Sequence, residues 1–239
     1  MSLNLNAVLN TQQARGASLI EGPVLIIAGA GSGKTRMICH RIAHMLGQGV
    51  DQSNILALTF TNKAAREMAL RVRELTREPL PDLLTSTFHA FGLRVLKAHG
   101  HMLGYKHNFT IFDNADRVSL LREVLHEEDL DAHAFDLDAM LQLFSSVKTE
   151  RGQWPEGTSK RALALYDAYR DHMRLYNAVD FDDLLMLPII LFERYPHILA
   201  EYQDRYRYIM VDEFQDTSLE QYRLGRMLAE RHRNLCVVG

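Results

Sequence analysis

Cysteine is scarce in this chain, with only Cys39 and Cys236 among 239 residues. The two stand far apart and without metal-ligand spacing, which argues against a disulfide framework or a thiolate metal cage and fits buried, reduced thiols in a cytoplasmic protein. No apolar run approaches the roughly eighteen residues of a membrane span, and the opening segment has neither a basic region nor an apolar stretch behind it. A cytoplasmic protein with no membrane partner is expected. A surplus of positive charge is also missing: 27 Lys and Arg stand against 30 Asp and Glu, a formal net charge of -3. Composition therefore supplies no basic footprint, and a claim of nucleic-acid binding must rest on motifs. Internal repeats and low-complexity tracts are absent. What is present, 47% hydrophobic and 24% charged residues, is enough for a folded core.

Short apolar runs alternate with helical spacing. Val24–Ala28 reads as a buried strand that passes through a glycine-rich turn into a helix carrying Met37, Ile38, Ile42, Met45 and Leu46. Ile55–Phe60 reads as a second strand, followed by a helix over 63–75 that Pro79 and Pro81 end. Leu83–Thr87 is a weaker third, with helical spacing resuming over 88–96. Between 91 and 205 the pattern is helical, around 114–127, 136–150, 159–176 and 181–194, with a short strand candidate near 109–112. Pro188 predicts a kink or break within the last helix. Tyr208–Val211 and Leu235–Val238 restore strand character around a helix over 218–231. Strands spaced by helices predict an α/β fold with a parallel sheet. That sheet, 1–90 with 206–239, brackets an inserted all-helical subdomain over 91–205.

The segment Ala28-Gly29-Ala30-Gly31-Ser32-Gly33-Lys34-Thr35 fits the P-loop pattern between a strand and a helix. Glycines let successive backbone N–H groups turn toward phosphate oxygens, Lys34 reaches the outer phosphates, and the Thr35 hydroxyl suits Mg²⁺. A second acidic element, Asp212-Glu213, follows the apolar run 208–211, where the C-terminal end of a strand delivers ligands. Asp212 is expected to hold the metal with Thr35, and Glu213 to polarise the attacking water. The cofactors expected are ATP and Mg²⁺.

Six segments, LNTQQ (9–13), AGAGSGKTR (28–36), LTFTNKAAREM (58–68), TSTFHAFG (85–92), DFDDL (180–184) and VDEFQDT (211–217), stand in an order and spacing that resembles the Rep/UvrD/PcrA-type superfamily 1 DNA helicases. The resemblance implies a RecA-like P-loop NTPase sheet, incomplete at its C-terminal end, with motor subdomain 1A interrupted by helical subdomain 1B. It implies that Gln13 reads adenine, that Ala30, Gly31, Ser32, Gly33, Lys34 and Thr35 cradle phosphate, and that Arg36 lies beside base and ribose. It places Gln215 near the γ-phosphate, with Lys34 and Glu213 as its catalytic companions. Phe60, Thr61, Asn62 and His89 match DNA-contacting positions. Read from the residues alone, Phe60 suits either the core or a base-stacking surface, and Thr61 suits a plain N-cap. Asp180, Asp182 and Asp183 suit a metal site less well than a capped helix start.

The activity implied is ATP-driven 3′ to 5′ translocation on single-stranded DNA and unwinding at duplex junctions, with replication or repair proteins as partners. The family would continue past Gly239 with a second motor domain bearing arginine fingers, so a fragment with little activity of its own is expected. The motor of a helicase–nuclease complex and a noncatalytic ATP-binding regulatory module are the alternatives.

Overall fold

A computed structural model describes residues 4–29 and 31–239. Ala30 lies outside the described residues. In chain order the elements are α1 (Leu5–Val8), α2 (Thr11–Ser18), β1 (Val24–Ile26), α3 (Lys34–Gly47), β2 (Ile55–Thr59), α4 (Asn62–Thr76), β3 (Leu84–Thr87), α5 (Phe88–His99), β4 (Thr110–Ile111), α6 (Asn114–Glu127), α7 (Leu137–Lys148), α8 (Lys160–Leu175), β5 (Ala178–Val179), α9 (Asp183–Arg194), α10 (Pro196–Arg205), β6 (Tyr208–Val211), α11 (Leu219–Ala229) and β7 (Leu235–Val238). They form two compact units, one comprising the chain up to Phe91 with Phe192–Gly239, the other Gly92–Leu191.

The first unit is built on a parallel sheet in the order β1-β7-β6-β2-β3. β2 is buried along its whole length, as expected for a strand covered on both faces. Met37, Ile38, Ile42 and Met45 of α3 and Met68 and Val72 of α4 pack into one cluster with Ile55, Ala57, Met210, Cys236 and Val238. β1 departs from the buried strand expected. It is the sheet's edge among the described residues, and Leu25 and Ile27 are 63% and 84% exposed, so its apolar run alternates between a covered and an open face. The helices start where short polar side chains can cap them: Asn10 and Ser218 form reciprocal capping boxes with Gln13 and Gln221.

The helical insertion closes at Leu191, whereas the sequence pattern carried it to residue 205. The difference is α10, which the helical spacing did not reveal. Its Tyr202 ring and the Tyr206 ring just beyond it meet Phe91 edge-on, each with centroids 5.9 Å apart, and Gln203 donates to the Met227 carbonyl on α11. α10 therefore belongs to the sheet-bearing unit.

The second unit packs α6, α7 and α8 around Leu121, Val124, Leu141, Phe144, Leu165, Tyr169 and Met173. It is not all-helical. β4, where the short strand near 109–112 was expected, pairs in parallel with β5, Thr110 with Ala178 and Ile111 with Val179, and the two residues of β5 are too few for a period to register in sequence. Nor does Pro188 end its helix, since α9 runs unbroken from Asp183 to Arg194. Proline has no N–H for the Leu184 carbonyl four residues back. Gly92 of α5 lies against that same carbonyl, so close that a Cβ there would fall 1.8 Å from its oxygen. The carbonyl released by Pro188 thus faces a glycine Cα, a contact that weak C–H···O bonding favours.

The three aspartates of DFDDL anchor this unit rather than holding a metal. Asp180 accepts from the Asp183 N–H and Asp183 from the Asp180 N–H, each at 3.0 Å, which is the capped helix start expected. Lys148 of α7, a partner the sequence did not reveal, donates to both at 2.7 Å, Arg117 approaches Asp180 at 3.5 Å, and Ser145 donates to Asp182. Burial raises the Asp180 carboxyl, but Lys148 and Arg117 overcome it and hold it below the usual range. Burial, with Asp180 alongside, pushes Asp183 up to about 6 despite Lys148.

Gly92→Ala should cost about 3 kcal/mol in denaturant unfolding, because a backbone carbonyl cannot step aside for the methyl. Lys148→Met should cost about 3–5 kcal/mol at neutral pH by stranding two buried carboxylates. Ionising a carboxyl whose folded pKa is raised opposes folding, and protonation removes that opposition. Without Lys148 both carboxyls rise further than in the wild type, so protonation relieves the variant more and its deficit should narrow as pH falls through about 6 toward 4, which parallel melts of the two proteins would record.

Candidate nucleotide site

The sheet order sets the site. β1 leads into the glycine loop and β6 ends at Val211, directly before Asp212, with β7 between them. Gly31 and Gly33 take φ of 73° and 86°, the left-handed region in which a side chain would be strained. Gly33 is the N-cap of α3, so Lys34, Thr35 and Arg36 occupy the first helical turn, where backbone N–H groups have no partner within the helix. Among the described residues beyond their chain neighbours, nothing stands within 4 Å of where Cβ atoms on Gly29 or Gly31 would lie, which leaves open space against the loop.

Two side-chain pairs join this loop to the segment after β6. The Thr35 hydroxyl donates to Asp212 Oδ2 at 2.7 Å, and Lys34 Nζ lies 3.1 Å from Glu213 Oε2. Burial raises the Asp212 carboxyl, the Thr35 bond opposes that rise, and the neighbouring Glu213 charge adds to it. Glu213 is held below its usual range, first by the Gln215 amide donating to it at 2.7 Å and then by Lys34. Glu213 is also a non-glycine residue at φ 52°, a strained conformation that aims its carboxylate back at Lys34. The Thr35 hydroxyl and the two carboxylates are hard oxygen donors of the kind Mg²⁺ takes, so the residues fit that ion.

Gln13, third residue of α2, accepts from the Asn10 N–H at 3.2 Å and donates to the Ser32 carbonyl at 2.7 Å, which brings it to the glycine loop. A primary amide has two protons and two lone pairs, so one of each remains for a ligand. Arg36 donates to the Val8 carbonyl at 2.7 Å.

The four residues expected to touch DNA stand at the C-terminal ends of neighbouring strands, β2 and β3, whose last residues, Thr59 and Thr87, are in register. Phe60 is 61% exposed, so it is not a core residue. Thr61 is the N-cap of α4 and accepts from the Ala64 N–H at 3.1 Å. Asn62 accepts from Thr87, which itself accepts from the Ala90 N–H beside the half-buried His89. The Thr87–Asn62 bond thereby joins the two motifs.

A model of the UvrD/REP helicase N-terminal domain matches residues 9–239. The chain belongs to that family. Its parallel sheet is accordingly RecA-like. The ATP-dependent DNA helicase PcrA of Staphylococcus aureus is 43% identical over 246 residues, covering 98% of this chain and 34% of that protein. PcrA of Staphylococcus epidermidis is 42% identical over 240 residues, covering 97% and 33%. The chain thus spans about a third of the length of the curated relatives it matches. Among the described residues, no helix is long and apolar enough to cross a membrane.

Because Thr61 caps α4, Thr61→Ala should lower unfolding stability by about 1 kcal/mol, while Thr61→Ser, an equally good cap, should leave it unchanged. Equal stability of all three forms in urea would remove the cap from the account.

Proposed function

We propose that the chain is the nucleotide-binding part of an ATP-dependent DNA helicase motor, with the sheet-bearing unit as subdomain 1A and residues 92–191 as subdomain 1B. The observation that carries this reading is the meeting of Lys34 with Glu213 and of Thr35 with Asp212 at the glycine loop, partners supplied by opposite ends of the chain.

In this reading the loop N–H groups and Lys34 hold the phosphates of ATP, and Lys34 exchanges its bond to Glu213 for the outermost phosphate. Glu213, released from Lys34 but still oriented by Gln215, accepts the proton of the attacking water. Thr35 and Asp212 would hold Mg²⁺, whose charge would offset that of the phosphates. Gln13 reads the adenine edge with its remaining donor and acceptor, and Arg36 lies beside base and ribose. Phe60 stacks on a base of single-stranded DNA while Thr61, Asn62 and His89 face its backbone. Translocation runs 3′ to 5′ and opens duplex junctions during replication or repair, in the cytoplasm. The buried free thiols of Cys39 and Cys236 accord with that compartment.

The test uses the full-length protein that contains this chain. Lys34→Ala should abolish DNA-stimulated ATP turnover. Glu213→Gln should still bind ATP and hydrolyse it roughly a hundredfold more slowly or worse, since only the proton acceptor is lost. Unaltered hydrolysis in either variant would overturn the assigned site.

A further inference from the structure

Arg41 lies in the middle of α3 and is 1% exposed, among the largest side chains so fully buried. A buried guanidinium ordinarily meets a carboxylate, because an uncompensated charge in the interior is costly. Arg41 instead spends its donors on neutral backbone: NH1 on the carbonyls of Gly16 and Leu19, NH2 on that of Ile20 at 3.0 Å, while its Nε has no partner. These carbonyls are the C-terminal end of α2 and the turn beyond it, where a helix leaves its last oxygens unsatisfied and a cation is favourable.

The far end of α2 is where Gln13 bonds the Ser32 carbonyl of the glycine loop. α2 is therefore fastened twice, at its first turn to the phosphate loop and at its last to Arg41. Arg41 is seven residues beyond Lys34, two helical turns along the same stripe of α3. Gly16 seats the helix closely on β1, since a Cβ there would lie 2.8 Å from the Ile26 side chain. Only a forked, planar cation reaches three carbonyls at once. Lysine, a point donor on a flexible stem, does not.

We propose that Arg41 is a positioning residue, bracing α2 against the P-loop helix so that Gln13 meets the base of a nucleotide whose phosphates lie on the glycine loop. This rests on the nucleotide reading of the preceding subsection. Arg41 touches no nucleotide; it fixes the register between the base-reading and phosphate-binding segments. Its loss should therefore weaken recognition of the base and spare recognition of the phosphates.

The experiment is calorimetric titration of the full-length protein with ATP, GTP and inorganic tripolyphosphate, each with Mg²⁺. The proteins compared are wild type, Arg41→Lys, Arg41→Gln, Gln13→Ala and the Arg41→Lys, Gln13→Ala double variant, with thermal unfolding of each alongside. ATP affinity should fall about tenfold in both Arg41 variants, the preference for ATP over GTP should shrink to match, and tripolyphosphate affinity should not change. Because Arg41 acts through Gln13, the double variant should bind ATP no worse than Gln13→Ala alone. Equal losses for ATP and tripolyphosphate, or additive losses in the double variant, would overturn the proposal. Wild type that binds tripolyphosphate but prefers ATP no more than GTP would overturn it while leaving the phosphate site standing. Wild type that binds neither ATP nor tripolyphosphate would remove the nucleotide reading itself, and the positioning role with it.

Discussion

The hydrogen bond from Thr35 to Asp212 spans 177 positions of sequence, and the candidate site depends on the constraint that closes this distance. Parallel strands joined by crossovers all end on one edge of a sheet, so every loop that follows a strand emerges on the same side. With β7 inserted between β1 and β6, the glycine loop and the Asp212-Glu213 segment sit a strand apart, within reach of two short side-chain contacts. The same edge carries Phe60 after β2 and His89 after β3. One sheet edge thus gathers the residues assigned to phosphate and the residues assigned to DNA.

Charge is handled differently in the two units. Around the glycine loop the ionic contact is open on the carboxylate side: Lys34 and Glu213 pair with side-chain exposures of 13% and 41%, so water screens the pair and the contact is weak. In the helical unit the carboxylates that meet Lys148, Asp180 and Asp183, are themselves only 3% and 9% exposed, and there the contact is structural. Burial decides which role a carboxylate takes. Three aspartates in five residues invite a metal by their crowding but suited a capped helix start better, and the Lys148 amine between two of them supplies the positive charge that a cation would have brought.

Much of the candidate site was legible. A glycine-rich turn between a strand and a helix, and acids directly after an apolar strand, specify local geometry through short-range sterics, and Gly31, Gly33, Lys34 and Thr35 take the conformations those rules demand. Asp180 capping its helix is local in the same way. The less legible features depend on distant partners. Pro188 looks like a break until Gly92 is seen to approach the carbonyl it frees. Thr61 suited both a cap and a DNA contact; its bond to Ala64 establishes the cap. Arg41 carried one faint sign, a charge within the apolar run Met37, Ile38, Ile42 and Met45 of α3, but nothing local names the three carbonyls it would find.

The sequence by itself determined the elements around the phosphate loop, the α/β alternation and the residue types able to bind phosphate and a hard cation, because these follow from backbone sterics and side-chain chemistry within a few residues. Only the tertiary structure decided that Glu213 meets Lys34, that Lys148 rather than a metal satisfies the aspartates, that α10 returns to the sheet before Tyr206, and that Arg41 binds the end of α2. Each of those is a choice of partner made by packing, and packing joins positions whose separation along the chain carries no information about their separation in space.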